Sequence, residues 1–167
     1  AMDEGWLSSA GPYVDQFESE FAAFLGVKHA MSTTNGTTAI QLAYLGLGLN
    51  PGDEIIVPGF SFMAAANIAL HMGLKPVFAE VDKDTWCLSA KELPKYISSK
   101  TKAIVPIHTY GNVCDMDAVM KIADERGITV IEDCAESLFS KYKKKYCGTF
   151  GKVNTFSFQA TKTITTG

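Results

Sequence analysis

The fold is decided by residues 102–133, which read KAIVPIHTYGNVCDMDAVMKIADERGITVIED. This stretch opens with an apolar run at 102–107, which is typical of a strand buried on both faces. Asp115 is the predicted N-cap of a helix that runs through Arg126, and Gly127 follows its end. A second apolar run at 128–132 predicts another strand. A strand, a helix and a strand in this order predict a parallel βαβ unit.

The same alternation extends over the rest of the chain. Further helices are predicted at 13–25, 37–47 and 62–72, and a short helix is predicted from Ser89, because Glu92 follows it at capping-box spacing. Further strands are predicted at 29–32, 54–57, 76–81 and 153–158, and the polar, basic segment 141–147 predicts a hairpin or loop. The chain is therefore expected to form a three-layer α/β/α fold around a mostly parallel sheet.

Composition limits the class of protein. The chain has 167 residues, of which 47% are hydrophobic, and a formal net charge of -3. This length suits about one domain, and the apolar content excludes intrinsic disorder. We expect no nucleic-acid partner, because there is no basic excess, and we interpret the lysine-rich run 141–146 as a solvated hairpin. We expect no membrane partner, because no run of 18 apolar residues occurs.

The four cysteines, Cys87, Cys114, Cys134 and Cys147, form no C-x-x-C pair. A zinc site or a redox motif is therefore not expected, and no metal is predicted. Two disulfides are an alternative, but a core of this size does not need them. We favour free thiols in a cytosolic protein.

Polar residues repeatedly follow the predicted strands, at the sheet edge where open parallel sheets bind ligands. Segment 35–38, Asn-Gly-Thr-Thr, opens a helix, and its N–H groups and hydroxyls suit a phosphate. Ordinary N-capping by Asn35 or Thr37 is the alternative. Asp133 ends a strand, where its carboxylate could hold a cationic nitrogen or serve as a cap or structural ion pair. Taken alone, Lys162 is a solvated surface charge and Phe62 a core aromatic.

Together these segments resemble the DegT/DnrJ/EryC1/StrS family of pyridoxal-phosphate-dependent sugar aminotransferases over nearly the whole chain. The opening matches at Gly5–Ser9 and Gly11–Val14. Six further blocks match in order, at 35–39 (NGTTA), 51–58 (PGDEIIVP), 76–82 (PVFAEVD), 102–108 (KAIVPIH), 132–136 (EDCAE) and 155–162 (TFSFQATK). Six blocks in register are specific, although each alone is weak.

The resemblance implies catalytic roles for Lys162 and Asp133. Lys162 stands where the family carries the lysine that forms the internal aldimine with pyridoxal 5'-phosphate. Asp133 stands where the family pairs a carboxylate with the pyridine nitrogen, which keeps the ring able to accept electrons. A pocket lysine can be desolvated and thereby become a nucleophilic amine. Phe62 matches the aromatic residue that stacks on the cofactor ring.

The resemblance also implies the remaining cofactor contacts. Thr37, Thr38 and Ser157 match the family's phosphate-binding positions. Glu136 matches a position, often Gln, near the 3-hydroxyl of the cofactor. Glu136 and the ending Thr163–Gly167 resemble the perosamine-synthase type of the family, which aminates C4 of a GDP-linked 4-keto-6-deoxymannose.

The resemblance implies transfer of an amino group from L-glutamate to a nucleotide-linked 4-keto-6-deoxysugar, for cell-surface polysaccharide such as the lipopolysaccharide O-antigen or for natural-product sugars. A cytoplasmic homodimer is expected. Residues 1–26 would form an N-terminal segment and helix, and 27–167 a truncated large domain of a fold-type-I aminotransferase, because family members continue into a C-terminal domain. Two alternatives are an inactive α/β fragment and a sugar dehydratase. The dehydratase branch of the family carries His in place of the lysine, so Lys162 argues against it.

Overall fold

A computed structural model describes residues 3, 5 and 11–166 of the chain. The chain forms two compact units, residues 1–34 and 35–167. The expected boundary between residues 26 and 27 remains a prediction. Most of the matching opening segment, 5–9, lies outside the described residues.

The first unit contains helix α1, Pro12–Leu25, which ends at Gly26 in the left-handed conformation (φ 70°). The predicted strand at 29–32 is wrong, because these residues pair with no strand in the described part of the chain. Ser32 instead donates its N–H and its hydroxyl to the Glu18 carboxylate, at 2.6 and 2.8 Å. A local polar contact therefore replaces the strand ladder.

The second unit confirms the predicted alternation of strands and helices. Its helices are α2 (Gly36–Gly46), α3 (Ala64–His71) and α4 (Met116–Arg126). Its strands are β1 (Glu54–Pro58), β2 (Lys75–Ala79), β3 (Thr101–Ile104), β4 (Thr129–Asp133), β5 (Lys141–Tyr142), β6 (Lys145–Tyr146) and β7 (Val153–Thr155). Strands β5 and β6 form the predicted hairpin. As predicted, Asp115 caps α4 by accepting the N–H of Ala118, and Gly127 ends it in the left-handed conformation.

The main sheet has the strand order β2-β1-β3-β4-β7, and every neighbouring pair is parallel. The chain runs outward from β1 to β2 and then returns to the other side of β1 for β3. The order therefore reverses between β1 and β3. In open α/β sheets, ligands bind at such a switch point, beyond the carboxyl ends of the strands.

The core lies on both faces of this sheet, which confirms the three layers. On one face, α2 and α3 pack against residues such as Ile55, Val57 and Ile131. On the other face, α4 and a 3₁₀ helix at Leu93–Tyr96 pack against Ile56, Ile104 and Val130. Successive strand residues point to opposite faces, so the central residues of β1 and β4 are apolar on both faces.

Several predicted ends differ from the observed ones, with local causes. Strand β3 stops at Ile104 because Pro106 has no N–H to donate, and pairing resumes only as a bridge between Ile107 and Asp133. Strand β7 stops at Thr155, because its partner β4 ends at Asp133, the residue that pairs with Thr155.

Two predicted helix starts also differ. Helix α3 begins at Ala64, not at Phe62. No capping-box helix starts at Ser89. The Glu92 carboxylate pairs with Lys95, and only a short 3₁₀ helix follows, with Pro94 in its first turn.

None of the helices in the described residues has both the length and the apolar character that crossing a membrane requires.

Candidate active site

Lys162 lies in the loop that follows β7, at the carboxyl edge of the sheet. A turn holds its backbone, because its N–H donates to the carbonyl oxygen of Gln159 at 2.9 Å. Its Nζ lies 3.8 Å from Oε1 of Glu136 and 5.9 Å from the centroid of the Phe62 ring. The Lys162 side chain is only 19% exposed. The lysine is therefore not an isolated surface charge, and it meets two of the residues predicted to surround the cofactor.

Asp133 is the last residue of β4 and is 5% exposed. Its Oδ1 accepts the N–H of Ala135 at 3.0 Å, whereas its Oδ2 accepts no hydrogen bond from any described residue. Burial raises the pKa of the Asp133 carboxyl, and the Ala135 N–H and the positive charge of Lys162 oppose this only in part. A buried carboxylate with an unused oxygen favours a cationic hydrogen-bond donor. The charge of Lys162 acts on the Asp133 carboxyl, but the two side chains form no ion pair.

The amino end of α2 brings Thr37, Thr38 and Ser157 to one place. A Cβ added to Gly36 would lie 3.2 Å from the Cβ of Ser157, so the loop after β7 approaches the first turn of α2 very closely. In the described part of the chain, the hydroxyls of Thr37 and Ser157 have no hydrogen-bond partner. The N-terminus of α2 also supplies free N–H groups and the positive end of the helix dipole, which together suit a phosphate.

N-capping by Asn35, the alternative for this segment, is also observed. Oδ1 of Asn35 accepts the N–H of Thr38 at 2.9 Å, and the Thr38 hydroxyl accepts the N–H of Asn35 at 3.2 Å. Capping and phosphate binding are compatible, because the capping box uses the Thr38 groups and leaves Thr37 and Gly36 available. The phosphate role of Thr38 remains a prediction.

Phe62 lies in the loop between β1 and α3 and is 72% exposed. It is therefore not a core residue, which was the alternative for this position. An exposed aromatic ring beside the Lys162 ammonium can cover one face of a flat ligand. Glu136 also contacts the lysine, and its Oε2 accepts the backbone N–H of Tyr110 at 2.9 Å.

Sequence reasoning missed a buried hydrogen-bond centre at Glu132. Its carboxylate accepts N–H groups from Gly148, Phe150 and Gly151 and faces Nε2 of His108 at 3.1 Å. Burial alone would raise the pKa of Glu132, but these hydrogen bonds outweigh it and hold the pKa below its usual value. An acidic residue inside an apolar strand, Ile-Thr-Val-Ile-Glu, was the available signal.

His108, Glu132 and Cys134 place possible metal ligands within 4.8 Å of one another. Both ring nitrogens of His108 already have partners, because Nδ1 accepts the N–H of Cys114 at 3.3 Å. Both Glu132 oxygens are also used, so the group is explained as a structural hydrogen-bond network. All four cysteines are buried free thiols, as expected.

Comparison with known proteins identifies the family of the chain. The model of the DegT/DnrJ/EryC1/StrS aminotransferase family matches residues 1–167. The chain belongs to this family. It is 46% identical to GDP-perosamine synthase of Escherichia coli O157:H7 over 166 residues, which cover 99% of the chain and 46% of that protein. The chain thus spans less than half the length of this relative.

Two solved structures confirm the fold-type-I aminotransferase architecture. An aminotransferase from Psychrobacter cryohalolentis has a TM-score of 0.92 and 38% identity, over 94% of this chain and 40% of that one. NtdA from Bacillus subtilis, solved with bound cofactor PMP, has a TM-score of 0.87 and 34% identity, over 93% of this chain and 35% of that one.

Family membership and the PMP-bound structure of NtdA support pyridoxal phosphate as the cofactor. The residues fit such a group. The largely buried Asp133 side chain, with one oxygen that accepts no hydrogen bond, suits a protonated ring nitrogen. The exposed Phe62 ring suits the ring face, and the open groups of Thr37 and Ser157 suit the phosphate. Lys162 has the primary amine that the aldehyde requires.

Proposed function

We propose that the full-length protein transfers an amino group from L-glutamate to a nucleotide-linked 4-keto-6-deoxysugar, in the manner of a perosamine synthase. The observation that carries the proposal is the position of the Lys162 amine. It lies 3.8 Å from the Glu136 carboxylate and 5.9 Å from the centroid of the Phe62 ring, within electrostatic range of the buried Asp133, at the sheet edge where ligands bind. The family and the similarity to GDP-perosamine synthase support amino transfer to a sugar.

Each residue would contribute a different part of the chemistry. When bound, pyridoxal phosphate supplies an aldehyde and a conjugated ring that accepts electrons from the carbon next to the amine. Asp133 would hold a proton on the ring nitrogen, and Thr37 and Ser157 would fix the phosphate. Nζ of Lys162 would act as the base that moves a proton to and from the α-carbon of the amino donor. Phe62 would exclude water from one ring face.

The test is covalent trapping in the full-length protein. Borohydride reduction after loading with pyridoxal phosphate should attach the cofactor to the peptide that contains Lys162. The Lys162→Arg variant should show no attachment, and Lys152→Arg, a change at an exposed lysine, should label like the wild type. Attachment to another lysine, or no attachment in the wild type, would refute the assignment.

A second measurement separates the proposed reaction from its rivals. Addition of L-glutamate to the loaded protein should produce 2-oxoglutarate in an amount equal to the bound cofactor. Loss of water from the sugar without use of glutamate would instead identify a dehydratase. A protein that stays colourless with pyridoxal phosphate would be a non-catalytic α/β protein.

We further propose that the protein acts as a cytoplasmic homodimer in polysaccharide or natural-product sugar biosynthesis. The free state of the cysteine thiols supports a reducing compartment. The resemblance to enzymes whose sites lie between two subunits supports the dimer, and sedimentation of the full-length protein tests it.

A further inference from the structure

Three aromatic side chains meet on the surface at the carboxyl edge of the sheet. Phe60, Trp86 and Tyr110 follow β1, β2 and β3, which are adjacent in the sheet. Their ring centroids lie 5.1 Å apart for Phe60 and Trp86, 6.5 Å for Phe60 and Tyr110, and 6.4 Å for Trp86 and Tyr110. We refer to these three residues as the aromatic cluster. Its members are 40%, 50% and 73% exposed, so much of their ring surface is uncovered.

The aromatic cluster lies next to the candidate active site. Phe60 and Tyr110 follow β1 and β3, the two strands between which the strand order reverses. Glu136 joins the cluster to the lysine, because its Oε2 accepts the Tyr110 N–H at 2.9 Å and its Oε1 lies 3.8 Å from Nζ of Lys162. A substrate whose reactive carbon reaches Lys162 can therefore extend over the cluster.

The backbone presents these rings at a conformational cost. Trp86 and Tyr110 both have positive φ, 63° and 53°, which is unusual for bulky side chains. Glycine or asparagine would adopt these turns more readily. The strain is expected where a particular side chain is needed at a functional site.

The size of the uncovered surface favours a small flat ligand over a protein. At about 200 Å² for each aromatic side chain, the three exposures amount to roughly 330 Å². A stable protein interface needs about 800 Å² from each partner. Rings packed edge to face, by contrast, leave faces and edges on which a planar base can stack.

We propose that the aromatic cluster binds the nucleobase of the sugar nucleotide. This inference rests on the proposed function, since it concerns the nucleotide part of the same substrate. The base stacks against Trp86 and Tyr110, and the sugar extends past Glu136 toward Lys162. Stacking gives affinity for any base, because every base has a flat π face.

The test compares two ligands that differ only in the base, GMP and ribose 5-phosphate. Their dissociation constants are measured by calorimetry in the full-length protein, with and without pyridoxal phosphate. One stacked base contributes about 1–3 kcal/mol, so GMP should bind roughly 5- to 150-fold more tightly. Trp86→Leu and Tyr110→Leu, which remove the aromatic ring but keep an apolar side chain, should bring this ratio close to one. Phe78→Leu, a change at an exposed aromatic residue outside the cluster, should leave the ratio unchanged.

Three results would overturn the proposal. These are equal binding of both ligands by the wild type, a full ratio in both leucine variants, and a change of oligomeric state in those variants, which would make the cluster a contact between two copies of the chain. The proposed function fails separately, if the wild type converts no glutamate. In that case, a base preference that depends on Trp86 and Tyr110 would still establish the nucleotide site.

Discussion

Replacement of Glu132 by glutamine tests how strand β4 holds the segment 148–151, which follows the hairpin. Oε1 of Glu132 accepts the N–H groups of Phe150 and Gly151 at 2.6 and 2.7 Å. Oε2 accepts the N–H of Gly148 at 2.8 Å and faces Nε2 of His108 at 3.1 Å. A glutamine has the same shape, but one of these two oxygens becomes an NH₂ group. Whichever oxygen is replaced, two of the groups that donated to it then face an NH₂ group, which cannot accept a hydrogen bond.

The magnitude follows from this count. Each buried donor that loses its acceptor costs about 1–3 kcal/mol, so the Glu132→Gln variant should lose about 2–6 kcal/mol of unfolding free energy. Since Glu132 and His108 are fully buried, solvent does not screen this loss. The loss is a large part of the roughly 5–15 kcal/mol that stabilises an ordinary domain.

Urea unfolding of the full-length protein measures this difference. Glu125→Gln is the matched control, because Glu125 is exposed and only pairs with Lys121 at 4.0 Å, so its loss should stay below about 1 kcal/mol. The Glu132 pKa is held below its usual value of 4.5. The carboxylate therefore stabilises the fold above that pH, and its contribution falls as the pH drops through the lowered pKa. If Glu132→Gln were as stable as the control at pH 7, the hydrogen-bond account of this centre would be wrong.

Three further changes test other parts of the structure. We expect the stability of Asp133→Asn relative to the wild type, both measured without cofactor, to increase as the pH rises from 3.8. Burial raises the pKa of the wild-type carboxyl, so above pH 3.8 the folded wild type loses stability as this carboxyl becomes charged. A difference in urea midpoint that does not vary with pH would contradict this. Asn35→Ala should lose about 1 kcal/mol of stability with its N-cap, whereas Asn35→Asp should retain most of it, as thermal unfolding can measure. Tyr44→Phe should lose about 1 kcal/mol in urea unfolding, since the buried Tyr44 hydroxyl donates to the carbonyl of Ala65 at 3.2 Å, and an unchanged midpoint would show that this bond contributes nothing.

The local pattern of the sequence was sufficient for most elements of the second unit. Asp115 and Gly127 mark the ends of α4, and the apolar runs mark four strands of the sheet, because caps and periodicity act over a few residues. The segment 29–32 shows where this fails. A strand exists only with a partner, and local pattern does not reveal the partner.

Sequence predicted some residues of the candidate site, whereas the structure was needed for others. The sequence placed Asp133 and Lys162 after strands, and the resemblance assigned their roles. The sequence did not reveal that Glu136 contacts both Lys162 and the Tyr110 backbone. Nor did it reveal that the Glu132 carboxylate connects His108 with three backbone N–H groups.

The sequence by itself therefore determined the α/β class, the family resemblance and the residue types available for chemistry. Only the tertiary structure decided the strand order, the reversal between β1 and β3, and the meeting of Phe60, Trp86 and Tyr110 at one edge. The physical reason is how far apart in the chain the interacting residues lie. Propensity and capping depend on neighbours in the chain, whereas strand order and side-chain contacts depend on packing between segments tens of residues apart.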